Sequence, residues 1–153
     1  MSTPRIESII QNIATTLAGV TIANGYNTDL TVTRPTMAGG LAHRGDDTAL
    51  VMLGDTSPVE STPMGSQDWN GAVPILCRKV IADDSTDNID ALLQTIASDV
   101  IRALLVDRHR STLAIDTLID GTTMGRDATG STESITVLAR VWYRTDDDDP
   151  FSA

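Results

Sequence analysis

Apolar residues recur at helical spacing in two stretches of the chain and alternate with polar ones through most of the rest. In the first stretch Ile6, Ile9, Ile10, Ile13 and Leu17 trace one helix face. Thr3 is placed to cap this helix, Pro4 suits its first position, Glu7 lies near the positive end of the dipole, and Gly19 is a stop. The second stretch, "DDSTDNIDALLQTIASDVIRALL", carries Ile89, Leu92, Leu93, Ile96, Val100 and Leu104 as its stripe, with Asp87 as cap and Asp90 in the first turn.

Alternation predicts the strands. Leu30 and Val32 alternate with Thr31 and Thr33 until Pro35, and "TALVML" (48–53) is a second strand. In "AVPILCRKVIA", Val73, Ile75, Cys77 and Ile81 share one face, with Lys79 the exception; Leu76, Arg78 and Val80 share the other. "STLAIDTLID" sets Leu113, Ile115 and Ile119 on one side. In "SITVLARVWYR", Ile135, Val137, Ala139, Val141 and Tyr143 face one way, leaving Leu138, Arg140 and Trp142 on the other. Polar stretches at 54–71 and 121–130 read as loops. The expected fold is α+β: a mostly antiparallel sheet with two amphipathic helices packed on one face. The half-apolar, half-charged opposite face suits a partner surface.

A length of 153 residues fits one domain, 1–153, and such a chain buries roughly 70% of the surface it exposes unfolded. Aromatic residues are only 3%, so the core must be aliphatic. The net charge is −10, from eighteen Asp and three Glu against ten Arg and the single Lys79. Such a balance repels phosphate backbones and argues against sequence-specific nucleic-acid binding. The abundance of Asp, and of Arg over Lys, fits a GC-rich genome or a salt-rich host. Cys77 is the only cysteine, so no internal disulfide forms, as suits a reducing compartment. "MSTPRIESII" lacks the pattern of a signal peptide, and no apolar run approaches the ~20 residues that span a bilayer.

Little in the chain resembles catalytic chemistry. His43 and His109 lie far apart without companions at zinc spacing. Counted from Asp83 as an EF-hand loop, "DDSTDNID" puts Asn88 and Gln94 where glycine and a bidentate glutamate belong, and so fails. The tripeptide Arg44–Asp46 matches an adhesion motif, but so short a match arises by chance. No nucleophile elbow, P-loop or dinucleotide fingerprint is present. Carboxylate pairs such as Asp46–Asp47 read as solvated charge. The expectation is no catalytic, cofactor or metal site.

The chain's last residues are the unusual ones. "YRTDDDDPF" sets Asp146, Asp147, Asp148 and Asp149 before Pro150 and Phe151, the only phenylalanine. Adjacent aspartates of an extended chain point to opposite faces and make a poor cation cage. The acidic tail, 145–153, therefore reads as a docking element ending in an apolar tip, with a frayed terminus as the alternative. In the 54–71 loop, Met64 and Trp69 are the residues suited to contact a partner.

An N-terminal amphipathic helix, "GYNTDL" (25–30) before a strand, a helix opened by "NIDALL", and a last strand ending in "VWYRTDDDDP" (141–150) together resemble the tail-terminator, or tail-completion, proteins of long-tailed phages and related archaeal viruses. The resemblance implies a structural virion protein with no catalytic residues. Its copies would form a homo-oligomeric, hexameric ring that caps the tail tube and ends polymerisation. The ring would meet the neck or connector protein at the head–tail junction, after assembly in the host cytoplasm. Interface candidates are Met64, Trp69, Leu138, Arg140, Trp142, the four aspartates and Phe151. A head-closure or neck adaptor of the same virion is an alternative reading. A small metal-dependent hydrolase using carboxylates is a more distant one.

Overall fold

The computed structural model describes residues 2–36, 47–60, 64–79, 88–126, 132–146 and 149–151. Helix α1 (Arg5–Ala18) is followed by a short 3-10 turn (Ile22–Asn24), then strands β1 (Thr31–Thr33), β2 (Asp47–Val51), β3 (Thr56–Pro58) and β4 (Ser66–Lys79). Helix α2 (Ile89–Val106) precedes strands β5 (Asp116–Arg126) and β6 (Thr132–Asp146). The sheet runs β1-β2-β4-β6-β5, with β3 also paired to β4. Among the described strands, β1 and β2 are the one parallel pair. The fold is thus α+β, with a mostly antiparallel sheet.

Strand β4 is the spine. Along one side it pairs with β6 from Ser66↔Asp146 to Arg78↔Ser134; along the other it pairs with β3 near Trp69 and with β2 near Cys77. Its inward residues Val73, Ile75 and Cys77 meet Ile135, Val137, Ala139, Val141 and Tyr143 of β6 in one core. Ile9, Ile10, Ile13 and Leu17 of α1, with Leu93, Ile96, Val100 and Leu104 of α2, close that core from the helix side. Burial leaves the Cys77 thiol without solvation for its anion and pushes its pKa up to about 12. The Tyr143 hydroxyl is raised for the same reason.

Gly71 fixes how closely α1 lies on β4. A Cβ built there would sit 3.0 Å from Ile6 Cδ1, so a larger residue would press on the first turn of α1 where it rests on the strand.

Several boundaries differ from the pattern-based expectation. Pro4 is the residue preceding α1 rather than its first residue, and no side chain caps that end; Thr3 does not. Asn88, not Asp87, caps α2, its side-chain oxygen accepting the N–H groups of Asp90 and Ala91. Asp87 lies outside the described residues, as do Val80 and Ile81. The stretch expected as a loop at 54–71 contains β3 and the first part of β4, and that at 121–130 contains the end of β5. Polar residues mislead there because pairing with β6, and with β3 in the case of β4, specifies these segments more than an apolar alternation of their own.

Leu113 and Ile115, expected in a strand, belong to the turn between α2 and β5. Arg110, Ser111 and Thr112 adopt left-handed backbone angles in it. Asp107 holds that shape by accepting the N–H groups of His109 and Ser111. Arg110 is fully buried beneath it. Its guanidinium reaches the Leu104 carbonyl in the last turn of α2 and the Thr16 hydroxyl of α1. A cation there suits the negative end of the helix dipole, although burial lowers the arginine's pKa.

Candidate assembly surface

Both helices pack on the face that carries Ile135, Val137 and Val141. Strand alternation sends the intervening residues to the other face, and the register aligns them in rows. Arg78 pairs with Ser134, Leu76 with Thr136, Pro74 with Leu138, Ala72 with Arg140 (which on its other side pairs with Leu118), Asn70 with Trp142, and Asp68 with Arg144. Leu138 and Trp142 are each 37% exposed, a large fraction for apolar side chains in the middle of a six-stranded sheet.

Charge on this face is largely matched within it. Arg144 forks onto Asp68 at 2.6 and 3.0 Å. That hydrogen bond, above all, holds the Asp68 carboxyl below its usual range, and the neighbouring Trp142 indole lowers it further. Arg140 pairs with Asp120 at 3.0 Å. Arg108 forks onto Asp116 at 2.8 Å through both nitrogens. Arg78 is exposed and makes no ion pair among the described residues.

The structure therefore brings Leu138, Arg140 and Trp142 together on one face but does not unite them with the other candidates. Trp69 points to the helix side, where its indole donates to the Thr145 hydroxyl at 3.1 Å. With Pro4, Ile6, Tyr143 and Pro150 it lines a hollow of about 150 Å³ beside the start of α1. Met64 is fully exposed in the turn before β4.

The acidic stretch 145–153, read as a docking element, begins inside the sheet. Thr145 and Asp146 belong to β6, and Asp146 forms a bridge with Asp149. The Pro150 carbonyl accepts the Arg5 N–H at 3.1 Å, so the chain folds back over the start of α1. Asp147 and Asp148 lie outside the described residues. Phe151 is 45% exposed, and its N–H donates to Asp149.

Sequence reasoning missed the reason for "GYNTDL". Asp99, on the buried side of α2, accepts the Asn27 N–H, the Asn27 side-chain amide and the Thr28 hydroxyl. Arg102, one turn further on, donates to the Gly25 carbonyl and lies 4.8 Å from the Tyr26 ring. An aspartate within an apolar helical stripe was the available signal. The segment is a strut between α2 and β1.

Among the described residues, no group of three or more His, Cys, Asp or Glu could hold a metal ion, and no helix is long and apolar enough to cross a membrane. His43 and Arg44–Asp46 lie outside them. His109 sits in the turn after α2, its Nδ1 2.7 Å from the Ile115 carbonyl oxygen.

No protein-family model and no curated protein matches the chain. Among solved structures it is similar to the sheath/tube terminator of an extracellular contractile injection system, PVC, in its extended state. The TM-score is 0.53 at 14% identity, over 97% of this chain and 59% of that one. The chain thus spans about three-fifths of that neighbour's length, and the likeness is one of fold.

Proposed function

We propose that the protein is a structural terminator of a tail-like tube. Its copies form a closed ring, six-fold as in the family it resembles, that caps the tube, stops its growth and joins it to the neck of the capsid in a virion. The observation that carries this reading is the likeness of almost the whole chain to a sheath/tube terminator. A sheet face with exposed Leu138 and Trp142 and, among the described residues, no helix over it supports it further, since ring subunits need a surface for their neighbours. On this reading the protein is not an enzyme, and its residues act by contact.

Sedimentation of the purified full chain tests the proposal. A discrete species near six protomer masses, with six-fold averages in electron micrographs, is the expected result. A chain that stays monomeric from micromolar to about 0.1 mM, in both low and molar salt, would remove the ring and with it this function.

A further inference from the structure

Resting on the ring reading, a sharper statement concerns how neighbours meet. The sheet offers poor edges for strand addition. At one margin β1 is three residues long. At the other, β5 is broken by register shifts at Ile119/Gly121 and Gly125/Arg126, with the charged Asp120 at the first. Short, bulged and charged edges resist pairing with another chain. The helix-free face is the better surface.

Its layout is that of an interface. Pro74, Leu76, Leu118 and Leu138 form an apolar centre, with Trp142 beside it. The pairs Arg140–Asp120 and Arg144–Asp68 lie alongside. An apolar centre within a satisfied polar rim is how protein contacts are built. Two chains that each carry −10 repel on approach, yet here Asp68, Asp116 and Asp120 are each held by an arginine. At the end of the patch stands Arg78, exposed and without a carboxylate among the described residues. The partner that complements it carries excess acid and recurs at every position of a ring: a second copy of this chain.

We infer that the helix-free sheet face is where a neighbouring copy packs head to tail, with Arg78 taking a carboxylate from an acidic surface of that neighbour. A contact between two different surfaces of identical subunits closes into a ring when the rotation permits. The contact gains from charge attraction even though the subunits repel overall.

The test compares sedimentation of the full chain with Arg78→Glu and Leu138→Glu at 0.15 M NaCl. Melting by circular dichroism checks each fold. Both variants are expected to raise the dissociation constant about tenfold or more with near-normal melting. As a check that does not depend on a charge reversal, Arg78→Lys puts an amine at the same place. Carbodiimide should join it to a carboxylate of the neighbour, giving covalent dimers in excess over the wild type, whose Lys79 serves as the control. Rings that survive both variants unchanged, or no excess of dimers, overturn this inference and leave the ring reading standing. Protection of Trp142 fluorescence only when tubes are added would assign the face to the tube and overturn it as well. A wild type that never associates overturns both.

Discussion

Asp99 accepts two hydrogen bonds from Asn27, the backbone N–H at 2.8 Å and the side-chain amide at 3.0 Å, while only 2% exposed. One carboxylate thereby fixes the path of the chain between the end of α1 and the start of β1. Asp99→Ala removes the acceptor and leaves Asn27 and the buried Thr28 hydroxyl short of a partner. The expected loss is about 1.5–3 kcal/mol in urea unfolding, the range for hydrogen bonds to a charged group. A loss under ~0.5 kcal/mol would show that water replaces the carboxylate without cost.

Gly71 gives a prediction of opposite sign to the usual one. In a strand, glycine to alanine normally gains stability by restricting the unfolded chain. Here the added methyl meets Ile6 Cδ1 at 3.0 Å, so Gly71→Ala should destabilise by about 1–3 kcal/mol. Ile6→Val removes the clashing carbon and should recover part of that loss in the double variant. Additive effects would mean that the two residues do not meet.

The Asp68 carboxyl titrates below its ordinary 3.8, chiefly because Arg144 donates to it. A lowered folded value means that the pair stabilises the protein fully above the unfolded pKa. That contribution fades as pH falls through the folded one. Melting temperature should therefore drop more steeply below about pH 4 in the wild type than in Asp68→Asn. Parallel acid limbs would assign the acid sensitivity to other carboxylates.

Salt should stabilise the monomer. The described ion pairs engage Glu7, Asp47, Asp68, Asp116 and Asp120, five of the chain's twenty-one acidic residues. Mutual repulsion among the remaining charge is screened as the Debye length falls from ~10 Å at 0.1 M to ~3 Å at 1 M. The melting temperature of a dilute, unassociated sample is expected to rise across that range. A flat or falling curve would mean that the acidic charge is already balanced locally.

Two truncations separate the acidic end into its parts. Ending the chain after Asp146 removes the Pro150 carbonyl that accepts the Arg5 N–H, a solvent-accessible bond, and should cost about 1 kcal/mol or less. Ending it after Arg144 also removes Thr145, the acceptor for the Trp69 indole, and the last residues of β6, and should cost clearly more. Equal stability of the two would show that β6 needs neither residue.

Much of this fold is legible in the chain itself. Ile6 to Leu17 and Ile89 to Leu104 declare helices because only a 3.6-residue period puts those side chains on one face, and Ile135 to Tyr143 declare a strand by the same logic at period two. Leu138, Arg140 and Trp142 could be named as one face for that reason, and the sheet does hold them together. Local pattern fails where the partner is distant in sequence. The start of β4 lacks a clear pattern, since pairing with β6 some 75 residues away specifies it, and β3 in turn is specified by pairing with β4. Trp69 and Trp142 look alike in the chain, yet register sends one toward α1 and the other to the opposite face. Asp99 reads as an interruption of an apolar stripe until the loop at Asn27 folds against it. Arg78 reads as one of ten arginines, and only the sheet reveals that it ends an apolar patch without a carboxylate among the described residues. Periodicity is a property of neighbours along the chain; which charges find partners is settled by contacts across it.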